Sequence, residues 1–190
     1  GLSYLHSYKS ATDYFKPVIV HRDLKASNIL VKSNGCCCIS DFGLAIDLSD
    51  DFHNERISQV GTIRYMAPEI LDGCVCYRRD ILPMIDIYAL GLIIWEIITR
   101  CKDCEGYHET FQRAYAKELG PYPTKEMAHY LVVSSKFRPP LIASWRNNKV
   151  TAYYAYLLHI DSRSSSRCYD RMLGTCRGYQ NFCQLRSSTT

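Results

Sequence analysis

No stretch of this sequence stays apolar for the roughly 20 residues that a membrane-spanning helix needs. The most apolar run, Ala89 to Ile98, is too short and carries Glu96. No stretch within these residues reads as a secretory signal either. So is a strong charge: the 190 residues carry a net +4, and residues 161–190 hold +3 of it, as five Arg against two Asp. A main body this close to neutral excludes the electrostatic footprint of a nucleic-acid binder. The ten cysteines lack the spacing of a metal site. Cys36, Cys37 and Cys38 fall on an expected strand, where neighbours point to opposite faces. Cys74-x-Cys76 and Cys101-x-x-Cys104 have no histidines at zinc-finger spacing. Free thiols in a reducing compartment fit better. No G-x-G-x-x-G phosphate cradle occurs anywhere. What the chain does have is 47% hydrophobic content, enough for one domain with a real core.

The most informative stretch is Val20-His21-Arg22-Asp23-Leu24-Lys25-Ala26-Ser27-Asn28, followed by Ser40-Asp41-Phe42-Gly43. The first reads H-R-D-L-K-x-x-N and the second D-F-G, two signatures of a protein kinase catalytic site. Between them, two short apolar runs are split by Asn34-Gly35, a strong hairpin signal. Asn28 lies as far before that tip as Asp41 lies after it, so a hairpin returns Asp41 to the neighbourhood of Asn28. An amide oxygen and a carboxylate at one sheet end are hard ligands suited to Mg²⁺. Asp23, on the loop leading into the same strand, can accept a proton from an attacking hydroxyl, and Lys25 can put positive charge on a phosphoryl group in flight. Phosphoryl transfer needs little covalent chemistry beyond such positioned charge. Singly, each residue has a blander explanation: an Asp that shapes a turn, an Asn that caps one, a histidine that sits in a core. That bland explanation is kept for His21. For the others, the order of the motifs with a hairpin between them argues against it.

The rest of the chain supplies a frame. Gly1 to Ser7 reads as the last turns of a helix and Tyr8 to Lys16 as a loop, with Pro17 stopping any helix before the loop that carries Asp23. The chain is expected to be a fragment, since it opens mid-element, no glycine-rich loop precedes His21, and neither does a V-A-I-K lysine. Leu44 to Glu55 is acidic and without periodicity, and Val60 to Glu69 closes that segment on an A-P-E signature. Asp86 to Arg100 is apolar nearly all round, which in a protein without membrane spans predicts a buried helix. Tyr107 to Leu119 is predicted as an amphipathic helix ending at Gly120-Pro121. Thr124 to Val133 is predicted as another, capped by Thr124 and finished before Arg138-Pro139-Pro140.

These motifs resemble the eukaryotic protein kinase family over about residues 1–148. The fold class expected is α+β: the mainly α-helical C-terminal lobe of a protein kinase fold, with a small β-hairpin at the catalytic loop. Residues 149–190 form a divergent tail, rich in Ser, Arg and Cys, that is expected to be poorly ordered. Lys25-Ala26-Ser27 is similar to the serine/threonine form. Cys38 to Ala45, Val60 to Leu71 and Asp86 to Cys101 look like the receptor serine/threonine kinases of transforming growth factor-β signalling. Type I receptors of that group tend to have Leu where this chain has Phe42, and Phe111-Gln112 through Glu118-Leu119-Gly120, then Pro123-Thr124 and Met127, is similar to type II bone morphogenetic protein receptors. The resemblance implies Asp23 as catalytic base, Lys25 as a γ-phosphate contact, and Asn28 and Asp41 as ligands of Mg²⁺, with Mn²⁺ an alternative. It implies Arg22 as the loop arginine and Thr62 as the partner of the catalytic Asp. Asp86 would brace the catalytic loop, or simply cap its helix. ATP is the implied cofactor, and a type I receptor of the same signalling family the implied protein substrate. The implied location is the cytoplasmic domain of a plasma-membrane receptor, attached through a span outside this sequence. The family also pairs Glu69 with an Arg from a later helix that this chain does not keep, so Glu69 is expected to be left uncompensated. The alternative is a catalytically inactive kinase-like binding module, because the ATP-clamping lobe is not in the sequence.

Overall fold

The computed structural model describes residues 1–8, 16–48, 59–73, 82–102 and 108–140. The expectations for Tyr8 to Lys16, for Leu44 to Glu55 beyond Leu48, for Cys74, Cys76 and Cys104, and for the tail fall largely or wholly outside these residues. The central element is helix α3, Leu82–Ile98, whose buried positions include Leu82 to Ala89 without a break. It follows the short helices α1, Leu2–Leu5, and α2, Pro68–Leu71. Helix α4, Ala116–Leu119, and helix α5, Lys125–His129, follow it. The all-round apolar pattern thus gave the right environment for α3. Fully burying a Leu or Ile contributes about 1.5–3 kcal/mol, so Leu82, Leu92 and Ile93, each 1% exposed or less, anchor the lobe.

One core cluster joins Val20, Met66, Ile70, Leu82, Leu92 and Val132 among others, tying the chain's first strand to α2, α3 and the turn after α5. A second packs Leu24 onto Ala89 and Ile93. The loop from His21 to Asn28 therefore rests directly on α3.

Among the described residues, four short strands form two antiparallel pairs. β1, Ile19–Val20, pairs with β4, Ile46–Asp47, while β2, Ile29–Val31, pairs with β3, Cys37–Ile39. The β1–β4 pair, extended by a hydrogen bond from Leu48 N to Val18 O at 2.8 Å, was not foreseen, since two residues give no period to read. The β2–β3 hairpin was foreseen, but its register differs. Gly35 N donates to Lys32 O and Lys32 N donates to Cys36 O, both at 2.9 Å, and Gly35 has φ 78°. The loop is a three-residue turn, Ser33-Asn34-Gly35, with the glycine in the left-handed position that a G1 bulge requires. Ile29 therefore faces Ile39, and the residue opposite Asn28 is Ser40. Asp41 lies one residue further on.

The predicted helix over Tyr107 to Leu119 is corrected: of its described residues, 108–119, only the last turn, α4, is helical. Two buried side chains take the backbone of Ala114. Glu96 Oε1 accepts its N–H at 2.8 Å, and Arg64 Nη1 donates to its carbonyl at 2.9 Å. Neither group is left for a helical ladder, and Tyr115 follows in the left-handed region at φ 56°. The stop at Gly120, φ 62°, and the cap at Thr124, whose Oγ1 accepts from Met127 N at 3.3 Å, both match expectation. α5 then widens into a π-helical turn, Tyr130–Ser134, before Pro139.

Candidate active site

β1 delivers the chain into His21, and the following loop is held from below by a single carboxylate. Asp86 Oδ2 accepts from His21 N at 2.8 Å and Oδ1 from Arg22 N at 2.9 Å. Asp86 lies inside α3, not at its start, so the helix-cap alternative is excluded. Arg22 is left-handed at φ 65°; an Arg there is held by its surroundings, because such conformations are uncommon without glycine. Its Nε donates to Leu44 O at 2.6 Å, tying the loop to the segment after Asp41-Phe42-Gly43. Burial lowers the Arg22 pKa and the nearby Asp86 charge pulls it back up.

This support presents Asp23. Its Oδ1 accepts two hydrogen bonds from Thr62, one from the amide and one from the hydroxyl, both at 2.7 Å. Its Oδ2 meets Lys25 Nζ at 2.6 Å, and the same ammonium reaches Thr62 Oγ1 at 3.1 Å. Asp23, Lys25 and Thr62 thus close a triangle between residues 39 and 37 positions apart. The Asp23 side chain is 10% exposed and that of Lys25 25%. Burial raises the Asp23 pKa, but the hydrogen bonds from Lys25 and Thr62 outweigh it and hold the carboxyl below its usual value. Gly61, at φ 110°, is what lets Thr62 come this close: a Cβ there would sit 2.5 Å from Arg22 O. Sequence reasoning gave Gly61 no role. Its signal was only the glycine itself, one residue before Thr62.

Asn28 is buried and donates its amide nitrogen to Asp23 O at 3.0 Å. The amide oxygen is its remaining polar atom. Ser40 N and Ser40 Oγ both donate to Asn28 O, at 2.9 and 3.1 Å, so the start of β2 is pinned to the residue before Asp41. Asp41 itself is exposed, with φ 64°, a conformation that Asp tolerates better than most residues. An amide oxygen and an exposed carboxylate at one hairpin end are a donor set that fits a hard divalent cation.

His21 is fully buried and structural, as expected. Its Nε2 lies 2.9 Å from Ser40 O and its Nδ1 3.3 Å from Asp23 N. A carbonyl only accepts and an amide N–H only donates, so the neutral tautomer with the proton on Nε2 satisfies both. Phe42 packs edge-on to the ring at 5.1 Å.

A second buried polar cluster anchors the turn Ile63–Tyr65 that begins at Thr62, and sequence reasoning missed it. Tyr65 OH donates to Glu96 at 2.8 Å, and Arg64 bonds Ala114 O and, closely, Gly120 O. Burial pushes the Glu96 pKa up, against the pull of the Ala114 amide and Tyr65 hydroxyl, and burial beside Glu96 pushes the Tyr65 hydroxyl up. Beside it, burial pushes Tyr115 up to about 12 while it shares a hydroxyl contact with Tyr88. The available signal was a Glu inside an apolar helix, since such a charge is almost never buried without partners. Glu69 is partly buried and is not without an interaction partner. Among the described residues, Cys36, Cys37, Cys38 and Cys101 are free thiols and no cluster of metal-ligating side chains occurs. No described helix is long and apolar enough to cross a membrane.

The protein kinase domain family matches residues 1–152. The chain belongs to the protein kinase family. Its helices and few strands are those of a kinase domain. Among curated proteins it is similar to activin receptor type-2A of Homo sapiens and of Gallus gallus, each 40% identical over 150 residues, 78% of this chain and 29% of the relative. The same receptor of Ovis aries is 41% identical over 148 residues. The chain therefore spans under a third of the length of these relatives. The type 2 designation of these activin receptors is in line with the type II resemblance.

Proposed function

We propose that this kinase chain carries the catalytic loop and substrate platform of a receptor serine/threonine kinase of the transforming growth factor-β family. In this reading residues 1–148 belong to the larger, helical lobe, and the reaction moves the γ-phosphate of ATP to a Ser or Thr hydroxyl. The observation that carries it is the triangle of Asp23, Lys25 and Thr62. Thr62 occupies Oδ1 of Asp23 twice, which stops the carboxylate from rotating. Oδ2 has a lone pair left beside the Lys25 bond, to which a substrate hydroxyl can donate. That hydrogen bond aims the hydroxyl oxygen at the γ-phosphorus of ATP; as the new P–O bond forms, the bond from that phosphorus to the β,γ-bridging oxygen breaks, ADP leaves with the electron pair, and the hydroxyl proton passes to Asp23. A carboxylate with a lowered pKa is a weak base, which suits a loose transition state in which the proton leaves late. Lys25, drawn from Asp23 toward the arriving phosphoryl oxygens, offsets their charge. Asn28 and Asp41 would hold Mg²⁺, or Mn²⁺ on the same oxygens, and the bound ion would neutralise phosphate charge.

The protein substrate is a type I receptor of the same signalling family, and the site faces the cytoplasm beneath the plasma membrane. The 190-residue sequence holds neither a G-x-G-x-x-G loop nor a V-A-I-K lysine, which in the kinase template supply much of the phosphate grip. On its own it is therefore inactive. The test is transfer of labelled phosphate from ATP to a type I receptor segment by the full-length protein, with Asp23→Asn beside it. Phosphoserine or phosphothreonine that falls by roughly 10²–10⁴-fold in the variant supports the reading. Phosphotyrosine, or transfer indifferent to Asp23, overturns it. No transfer at all, with retained binding of the receptor segment, would favour the binding module instead.

A further inference from the structure

A second concavity lies away from the Asp23 site. It is formed by the C-terminal part of α3, the start of α4 and residues 137–140, and none of Asp23, Lys25, Asn28, Asp41 or Thr62 lines it. Its apolar surface is aromatic and proline-rich. Trp95 is fixed there by its Nε1, which donates to Pro140 O at 3.0 Å. Buried Tyr115 and half-exposed Phe137 approach to 6.2 Å between ring centres, and Pro139 lines the cleft with them. The cavity volume is about 160 Å³. Clefts for small-molecule ligands run to about 300–1,000 Å³, so this one is too small to enclose a nucleotide-sized molecule. It does suit one large side chain whose own backbone stays outside.

The ionisable side chains along this cleft are His108, Arg113, Lys117 and Glu118, so two permanent cations stand with one carboxylate. A turn closed by Ala116 N donating to Arg113 O at 3.0 Å sets both cations at the start of α4. The guanidiniums of Arg64, Arg100 and Arg138 are spent on backbone carbonyls. Arg113 and Lys117, by contrast, are exposed and donate to no described residue. Aromatic side chains joined to Arg at a small, well-walled cavity are the composition of an interface centre.

We propose that this cleft is a docking site for an acidic peptide segment of a partner protein, which seats one aromatic side chain among Trp95, Tyr115 and Phe137 and offers carboxylates to Arg113 and Lys117. The cavity size selects a single anchoring side chain, and the charge selects its neighbours. A basic segment would meet both free cations, whereas a carboxylate matches the planar fork of Arg113. Glu118 subtracts from the attraction at the Lys117 end, which leaves Arg113 as the principal polar anchor. Exposed ion pairs contribute at most about 1 kcal/mol each, so the buried aromatic side chain sets the affinity and the charges set which segment is accepted. Binding here does not depend on the kinase reading.

The probe is a fluorescein-labelled Glu-Glu-Phe-Glu-Glu peptide, titrated by anisotropy against the full-length protein, with an analogue bearing Ala for Phe and a Lys-Lys-Phe-Lys-Lys peptide beside it. The acidic peptide should bind with Kd below about 1 mM, roughly tenfold tighter than its Ala analogue. Arg113→Glu combined with Lys117→Glu should weaken the acidic peptide by roughly tenfold and make the basic one bind in its place. That gain also shows that the variant is folded. Lys32→Glu, at an exposed lysine of the hairpin, should change neither affinity. Equal loss in Lys32→Glu would reduce the effect to net charge and overturn the proposal. So would an acidic peptide that fails to bind, binds equally without its Phe, or binds the double variant as well as wild type. Tighter binding after Asp103→Asn with Glu105→Gln would make this chain's own acidic run the occupant, and a dimer that the peptide dissociates would make it a second copy; either result overturns the partner.

Discussion

Replacing Gly61 by alanine should damage this protein through one close approach. Gly61 has φ 110°, outside the left-handed basin that non-glycine residues use sparingly. Forcing alanine into such a region costs about 1–3 kcal/mol. The new Cβ would also stand 2.5 Å from Arg22 O, a backbone atom that cannot swing aside like a side-chain end. Arg22 is already left-handed and both loop amides are held by Asp86, so the clash is relieved only by moving the loop, at a further cost of about 1–3 kcal/mol. A total of roughly 2–6 kcal/mol is a large share of the about 5–15 kcal/mol that holds a typical domain together. The control is Gly35→Ala. Gly35 also has positive φ, 78°, but nothing lies within 4 Å of its added Cβ, so only the backbone strain of about 1–2 kcal/mol applies. Thermal unfolding of the full-length protein should show a larger drop in Tm for Gly61→Ala than for Gly35→Ala. Phosphoryl transfer should fall in Gly61→Ala and stay near wild type in Gly35→Ala. Equal shifts in Tm would show that the Arg22 carbonyl yields freely, and the account of Gly61 as the residue that admits Thr62 to Asp23 would fail.

Three further outcomes can be measured. Because hydrogen bonds from Lys25 and Thr62 hold the Asp23 pKa below its unfolded value, its stabilisation is complete above about pH 3.9 and drains away only as pH falls further. Denaturant unfolding of wild type and Asp23→Asn should differ by a constant amount from pH 5 to 8 and converge in acid, on the order of pH 4 and below; a gap that widens in acid would mean that burial dominates. Glu96→Ala orphans the Ala114 amide and the Tyr65 hydroxyl and strips a neighbour from the buried Arg64, and should cost about 3–5 kcal/mol in the same assay, where a loss under 1 kcal/mol would show that water replaces it. Thr62→Val, which keeps shape but not the hydroxyl bond to Asp23, should reduce kcat by roughly 10-fold or more while Thr62→Ser retains it, and equal kcat in both would remove Thr62 from the site.

What could be read in the sequence divides along a physical line. The buried helix α3, the hairpin, the stop at Gly120 and the cap at Thr124 are local statements, made by a run of side chains or by one residue's backbone preference. The loop residues Asp23, Lys25 and Asn28 were legible because five positions hold them in one turn of chain. The approach of Thr62 to Asp23 across 39 residues came only through family resemblance, since no period or propensity encodes it. The register of the hairpin slipped by one because Asn34-Gly35 is compatible with a two-residue turn as well as the three-residue turn observed, and the choice lies in where Cys36 pairs. That slip matters for the site, since it sets Ser40 and not Asp41 opposite Asn28.

The failed helix over Tyr107 to Leu119 shows why the remainder was hidden. Its amphipathic pattern is real, and the side chains of Tyr115 and Leu119 are buried as the pattern asks. A helix, however, must also spend its own amides and carbonyls on itself. Here Glu96 and Arg64, separated from Ala114 by 18 and 50 residues, claim those groups first. A carboxylate and a guanidinium in an apolar interior each need partners worth several kcal/mol, whereas one residue's helix propensity differs by well under about 1 kcal/mol. The buried charges therefore decide the backbone, and the same charges anchor Arg64 and Tyr65 in the tight turn Ile63–Tyr65 that begins at Thr62. The segment that sequence reasoning misjudged is thereby part of what holds the Thr62 hydroxyl against Asp23.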